Sequence, residues 1–282
     1  MRIIVTGSKG FVGSKLVPGL KQNNHDVVEL DISEGNDITD WDQLKSNSHF
    51  DCVIHLACLT YVPDSYEIPK DFYRVNILGT LNMLELCRLN NAKMIFASSY
   101  VYGVPDYLPI DENHPVKAFN PYAQSKLIGE QLCQGYHRDF NVPVIIFRPF
   151  NIYGKNQKED FLIPSILKQA SSGTVLLKDS RPKRDYIYID DIVDAYIIAI
   201  ERKLNDFEVY NLGTGQSHSI EIITELVQKY FKRKLNVLFT NEYRENEVLN
   251  TVADVSKAEK VLQWKPKVLL EEGIRRIILQ ES

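Results

Sequence analysis

Along the first half of the chain, short β-branched runs alternate with longer segments of helical spacing, and that alternation leaves few folds open. Arg2 to Thr6, Asp26 to Leu30, Cys52 to Ala57, Lys93 to Ser98 and Val142 to Arg148 are near-continuous apolar runs, the mark of strands covered on both faces. Val12 to Gln22, Phe72 to Asn90 and Pro121 to Phe140 carry apolar residues three and four apart, as helices do. Parallel strands need long crossovers, and helices of this length supply them. The expected architecture is therefore α/β, a doubly wound parallel sheet over residues 1–150. After about Asn151 the alternation loosens. Residues 151–282 are expected to form mostly a smaller lobe, with 183–215 partly returning to the main sheet through a strand at Glu208 to Leu212.

A chain of 282 residues that is 44% hydrophobic and 25% charged can bury a sizeable core, which excludes a disordered or fibrous protein. Its 33 basic and 37 acidic residues are interspersed and sum to a formal charge of -4, so neither nucleic acid nor an anionic membrane surface is an expected partner. No apolar stretch approaches the ~20 residues that span a bilayer. Met1 to Thr6 is too short for a secretory signal, and the expected location is the cytoplasm. Cys52, Cys58, Cys87 and Cys133 form no CxxC pair and sit among apolar neighbours, the pattern of reduced, buried thiols. No metal site is expected, since the six histidines do not cluster.

Directly after the first apolar run comes Gly7-Ser8-Lys9-Gly10-Phe11-Val12-Gly13, opening into the first helical segment. Glycines there let the backbone turn tightly and approach a pyrophosphate, while the helix offers unpaired N–H groups and the positive end of its dipole. Glycines also punctuate ordinary strand-to-helix turns, so the loop alone decides little. Asp31 decides more. It follows the second run, eighteen positions after Gly13. A dinucleotide-binding unit places an acid for the adenosine ribose hydroxyls about 20 residues on. Together they make the expected sheet Rossmann-like, with Gly7, Gly10, Phe11, Val12, Gly13 and Asp31 holding a nicotinamide dinucleotide. Asp31 favours NAD(H), because a carboxylate repels the extra phosphate of NADP(H). Lys9 could reach that phosphate or lie solvated at the surface, and the preference stays open.

Tyr122 and Lys126 stand four apart on the segment introduced by Pro121 and so share a helix face. A phenol, with an ordinary pKa of about 10, is a poor proton carrier at neutral pH, and a neighbouring ammonium favours the phenolate. Such a pair also arises by chance as a core tyrosine and a solvated lysine. Ser98 ends the run from Lys93 and is followed by Ser99-Tyr100-Val101-Tyr102-Gly103, which puts a hydroxyl where an open sheet meets its ligand. Paired serines after a strand are also ordinary turn formers.

Taken together these residues resemble the extended short-chain dehydrogenase/reductase family, the epimerases, dehydratases, decarboxylases and reductases of nucleotide sugars. The matches run nearly end to end: Gly7 to Gly13, Asp37-Ile38-Thr39-Asp40, His55-Leu56-Ala57, Asn76, Ser98 to Gly103, Tyr122 to Lys126, Arg148 to Gly154, Arg184-Asp185, Tyr210 to Gly215, Ala253-Asp254 and Trp264-Lys265-Pro266. The resemblance implies that Ser98, Tyr122 and Lys126 are the catalytic triad, that Lys126 also holds the nicotinamide ribose, that Asp37 and Ile38 flank the adenine, and that Leu56 and Ala57 line the cofactor. It further implies that Ser98 meets the substrate, that Asn151, Arg184 and Arg244 grip its nucleotide diphosphate, and that residues from Asn151 onward are largely the substrate-binding lobe. Guanidinium forks suit phosphate oxygens, although Arg184 could instead pair with an acid such as Asp185. Arg244-Glu245-Asn246-Glu247 departs from the family's Arg-Pro-Gly-acid pattern, which places Arg184 ahead of Arg244. His55 reads as a structural strand residue. A homodimer through Phe72 to Asn90 and Pro121 to Phe140 is also implied.

The family's shared chemistry is hydride transfer at a sugar carbinol or ketone, with Tyr122 shuttling the proton. Members that eliminate or decarboxylate carry a carboxylate two residues after the catalytic Ser or Thr. Here that position is Tyr100, and Ser99 stands where dehydratases have an aspartate, so elimination lacks its acid and base. Lys9 and the short stretch from Tyr153 to Pro164 favour an NAD(P)H-dependent reductase of a nucleotide-linked 4-keto-6-deoxy sugar, expected to be UDP-linked, with Tyr122 protonating the alkoxide at C4. The alternative is an NAD-dependent nucleotide-sugar 4-epimerase of the UDP-glucose or UDP-N-acetylglucosamine type. A non-catalytic dinucleotide sensor would have no need of Ser98, Tyr122 and Lys126 together.

Overall fold

The five apolar runs become neighbouring strands of one sheet in the computed structural model, which describes residues 1–202, 206–243 and 247–279. β1 (Arg2–Thr6), β2 (Asp26–Leu30), β3 (Cys52–His55), β4 (Lys93–Ala97) and β5 (Val144–Pro149) lie in the order β2-β1-β3-β4-β5, and every one of these pairs is parallel. A sixth strand, β9 (Phe207–Leu212), adds to the β5 edge and is the strand expected at Glu208 to Leu212. The chain builds outward from β1 first to one side and then to the other. The carboxyl ends of β1 and β3 are therefore the switch point where open sheets take ligands.

These strands belong to the first of two compact units, Met1–Gly103 with Val116–Pro149 and Val193–Tyr210. Its helices are α1 (Gly13–Gln22), α2 (Trp41–Leu44), α3 (Val62–Glu67), α4 (Pro69–Tyr73), α5 (Gly79–Asn90) and α6 (Pro121–Phe140), with most of α8 (Ile189–Glu201). Alternate strand positions point to one face, so Met94 and Phe96 of β4 and Val144 and Ile146 of β5 pack with Ile4, Val53, Leu84, Cys87 and Cys133 in one buried cluster. Truncating Phe96 to alanine there would cost ~3–5 kcal/mol. The single helix expected from Phe72 to Asn90 is in fact α4 and α5 joined by a π-turn over Arg74–Leu78. Helical spacing of apolar residues does not register one turn that is a residue wider.

The second unit comprises Val104–Pro115, Phe150–Ile192 and Asn211–Ser282. β6 (Asn151–Tyr153), β8 (Lys183–Tyr188) and β10 (Ser217–Ser219) form a small sheet in the order β10-β8-β6. β7 (Thr174–Leu177) pairs in parallel with β11 (Asn236–Phe239), and α7 (Leu162–Ala170), α9 (Ile220–Phe231) and α10 (Leu270–Leu279) complete the unit. Within 183–215, then, β9 joins the main sheet while β8 belongs to the small one. Buried Asp191 accepts the backbone N–H groups of Lys267 and Val268, and its carbonyl accepts Trp264 Nε1 at 2.9 Å, which anchors the Trp264-Lys265-Pro266 segment. No helix of the described residues is long and apolar enough to cross a membrane.

Candidate active site

At the switch point the glycine loop is closed by backbone packing. Gly7 turns at φ +67°, its N–H donating to Leu30 O at 2.8 Å, and a Cβ there would lie 2.8 Å from Ala57 N. A Cβ on Gly13 would lie 2.2 Å from Gly7 O, so only glycine lets the first turn of α1 sit this close to the loop. The Ser8 hydroxyl in the loop is buried without a hydrogen-bond partner. A backbone cradle at a helix N-terminus with an orphan hydroxyl beside it fits a pyrophosphate that brings its own acceptors. Phe11 and Val12 are half-buried where the loop enters α1, and Leu56 and Ala57 leave β3 alongside, held by bonds from their N–H groups to Thr6 O and Thr6 Oγ1.

Asp31 lies just beyond β2 at the same end of the sheet. It accepts Lys9 N–H at 2.9 Å and both the N–H and the hydroxyl of Ser33, at 3.0 and 2.8 Å. Burial opposes its charge, but these bonds outweigh burial and hold the carboxyl below its usual range. The Lys9 ammonium turns away to Glu29 at 2.9 Å, and Lys21 reaches the same carboxylate at 2.7 Å. Asp37 caps its own turn by accepting Thr39 N–H and hydroxyl. Ile38 is buried, with its carbonyl accepting Asn82 Nδ2.

Asn120 starts α6 by accepting Ala123 N–H at 2.8 Å, and Pro121 fills the first helical position. Tyr122, four residues before Lys126, meets the Phe72 ring edge-on at 6.4 Å. Burial, with a smaller push from Cys58, raises the phenol well above its ordinary pKa, and a hydrogen bond with the Ser99 hydroxyl pulls it back. Lys126 is buried, its Nζ 4.5 Å over the Phe96 ring.

Ser98 and Ser99 follow the end of β4 at Ala97 and meet different partners. Ser98, expected to act with Tyr122, instead donates to Glu130 Oε1 at 2.5 Å inside a buried cluster. Arg148 Nε and Nη2 bind both Glu130 oxygens at 2.9 and 2.6 Å, and Nη1 donates to Tyr102 OH at 3.0 Å. The sequence motifs give Ser99 no role with Tyr122 and leave Glu130 unnamed. Glu130 had a legible signal, since it follows Lys126 by one helical turn on the same face.

In the second unit, Asn151 Nδ2 donates to Asp185 O at 3.1 Å. Arg184 pairs with Glu247 and donates to Val248 O, not with Asp185. Asp185 is already filled: it accepts Thr214 N and Oγ1, both at 2.7 Å, Gly215 N at 2.9 Å and Ala253 N at 3.0 Å. Arg244 lies outside the described residues.

Residues 3–213 match the model of the NAD dependent epimerase/dehydratase family. The chain belongs to that family. This member is 32% identical to UDP-glucose 4-epimerase 2 of Arabidopsis thaliana over 97% of this chain and 93% of the relative. Among solved structures it is similar to Thermotoga maritima UDP-glucose 4-epimerase with UDP-glucose, at TM-score 0.92 and 26% identity, covering 99% of this chain and 98% of the other. It is also similar to RMD from Pseudomonas aeruginosa complexed with NADPH, at TM-score 0.89 and 29% identity, covering 99% and 97%. Members are NAD dependent, and the loop of this family member has the cradle for such a dinucleotide.

Proposed function

We propose that the chain is a nucleotide-sugar 4-epimerase acting on a UDP-linked hexose. End-to-end likeness to proteins named 4-epimerase carries this reading. The two grounds for a reductase weaken. Lys9 pairs with Glu29 at the surface, the place of a solvated lysine. Nor is the chain short for an epimerase, since it covers 98% of the Thermotoga maritima enzyme. Asp31 beside the glycine loop supports NAD(H) as the cofactor.

When bound, the nicotinamide supplies a reversible hydride acceptor for the sugar C4. Tyr122 accepts the O4 proton as the C4–H bond breaks and returns it when hydride comes back to the other face, so each turnover restores the starting protonation. Lys126, one helical turn away, favours the phenolate during that exchange. Ser99, beside Tyr122, is assigned to the forming carbonyl, to which its hydroxyl turns once Tyr122 has taken the O4 proton and no longer draws on the Ser99 hydrogen. Tyr100 gives its hydroxyl to Gly103 O at 2.7 Å, which leaves no carboxylate at the position elimination requires. Arg184 and Asn151 are assigned to the diphosphate, with Arg184 exchanging Glu247 for phosphate oxygens.

The test is conversion of UDP-glucose or UDP-N-acetylglucosamine by the purified chain with no reductant added. Interconversion of the C4 epimers without net nicotinamide consumption is expected, and Tyr122→Phe should lose roughly 10²–10⁴ of the rate. Stoichiometric NAD(P)H oxidation with a 4-keto sugar and no epimer formation would overturn the reading in favour of a reductase. Unimpaired function in Tyr122→Phe would point to a dinucleotide sensor.

A further inference from the structure

Five buried polar residues outside the proposed chemistry are linked in a chain by hydrogen bonds, through side chains and, at Asn76, through the backbone carbonyl. Thr6, His55, Asn76, Thr80 and Ser125 are each no more than 2% exposed. Their protons fix its direction. Thr80 Oγ1 lies 2.6 Å from the Asn76 carbonyl, which only accepts, so Thr80 donates there. His55 Nε2, 3.1 Å from Thr80 Oγ1, must then carry the ring proton. Nδ1 is left as an acceptor for Thr6 Oγ1 at 2.8 Å, and Thr6 in turn accepts Ala57 N–H at 3.1 Å. From Asn76 the chain continues: Oδ1 accepts Leu59 N–H at 2.8 Å, while Nδ2 donates to Leu59 O at 3.1 Å and to Ser125 Oγ at 2.8 Å. Ser125 donates to Tyr122 O at 2.7 Å. Burial, with help from the Lys126 charge, pushes the His55 imidazole down to about 3, and the ring stays neutral as this pattern demands.

The two ends of the chain carry its meaning. Thr6 immediately precedes Gly7, and Ser125 sits between Tyr122 and Lys126. Midway, His55 stacks on Phe96 at 5.9 Å, and Lys126 Nζ lies over the same ring, 4.5 Å from its centre. Apolar residues would fill the same space without the burden of desolvating five polar groups, but they would not fix one relative setting of loop and helix. Asn76 also occupies the π-turn at Arg74–Leu78, an irregularity that recurs at functional sites.

We propose that Thr6, His55, Thr80, Asn76 and Ser125 are positioning residues that fix Tyr122 against the dinucleotide loop, coupling occupancy of the loop to the setting of the proton carrier. The kinetic part of this proposal rests on the epimerase reading, and the binding part does not. Two variants test it, Thr80→Val in the middle of the chain and Ser125→Ala at its far end, with Thr80→Ser as the conservative rescue. NAD+ affinity by calorimetry, kcat and KM for the UDP-hexose, the pH profile of kcat and the melting temperature are measured for each. Both variants should lose roughly ten- to hundredfold in kcat with little change in KM. The ascending limb of the pH profile should move, NAD+ binding should weaken although neither residue borders the loop, and Thr80→Ser should restore both. Unchanged NAD+ affinity and an unmoved pH limb would overturn the proposal, whatever happens to the melting temperature. If Thr80→Val does not fold, Ser125→Ala decides by the same readings. If the wild-type chain turns over no UDP-hexose, the epimerase reading fails, and NAD+ affinity alone decides this proposal.

Discussion

Ser98 gives its only hydroxyl proton to Glu130 across 2.5 Å, and Arg148 grips both oxygens of that carboxylate. A hydroxyl committed in this way can accept a further hydrogen bond but not donate one. A carbonyl forming on a sugar needs a donor. Of the two adjacent serines, Ser99 is the one beside Tyr122, where it eases the phenol toward ionisation, and its hydrogen passes to the carbonyl once Tyr122 is protonated.

Ser99→Ala should therefore lower kcat by roughly 10²–10³, the usual toll of removing one donor to a developing oxyanion. Ser98→Ala should leave kcat within a few-fold and lose about 1 kcal/mol of stability with its hydrogen bond. Steady-state kinetics and urea unfolding on both variants separate the roles. A kinetic defect in Ser98→Ala larger than that in Ser99→Ala would reverse the assignment.

Glu130→Ala leaves Arg148 buried without its counter-charge. Breaking a buried pair from one side typically costs ~3–5 kcal/mol. The expected result is a large drop in the urea midpoint. A small one would mean that water reaches Arg148 when Glu130 is gone.

Asp31 already accepts three protein hydrogen bonds, and it is the acid that directly follows β2 beside the glycine loop. Asp31→Ala should weaken NAD+ binding about tenfold, the equivalent of ~1.4 kcal/mol, while NADP+ binding stays level or improves. Calorimetry with both dinucleotides checks this. Equal losses for the two would show that Asp31 only shapes the loop.

His55 has an acid signature in stability. Its folded value of about 3 lies below the ordinary 6.5, so at intermediate pH the unfolded chain binds a proton that the folded chain refuses. The contribution is complete above pH 6.5 and is lost as pH falls toward 3, at about 1.4 kcal/mol per pH unit. Between pH 6.5 and 5 this group alone removes roughly 2 kcal/mol. Urea midpoints of wild type and His55→Gln, compared at pH 7 and pH 5, should show a shallower acid loss in the variant. Parallel losses would place the acid sensitivity elsewhere.

Much of this was legible because it is local. Apolar runs locate β1 to β5 to within a few residues, and the glycines with Asp31 locate the loop, since strand burial and tight turns are written in neighbouring residue types. What escaped depends on where an element stops or on what lies far along the chain. Whether Ser98 or Ser99 meets Tyr122 turns on how the chain leaves β4 after Ala97, and there a difference of one residue exchanges Glu130 for Tyr122 as the partner. Arg184 finds Glu247 instead of adjacent Asp185 because Thr214, Gly215 and Ala253 have already filled that carboxylate. No local pattern announces such competition.

The π-turn between α4 and α5 has a consequence for how this chain tolerates change. A helix advances about 100° per residue, so one residue more or less rotates everything on one side of it by that angle relative to the other. Phe72 upstream touches Tyr122, while Leu84 and Cys87 downstream lie in the core. The wider turn absorbs one residue, so a single deletion within 74–78 would leave an ordinary α-turn with both faces set as before, whereas deleting a second residue would swing one of them about 100° out of place. In this stretch the length of the chain is itself under constraint, and a relative aligned with a longer gap here has to be examined for the loss of the Phe72–Tyr122 contact before its tyrosine is taken to work in the same way.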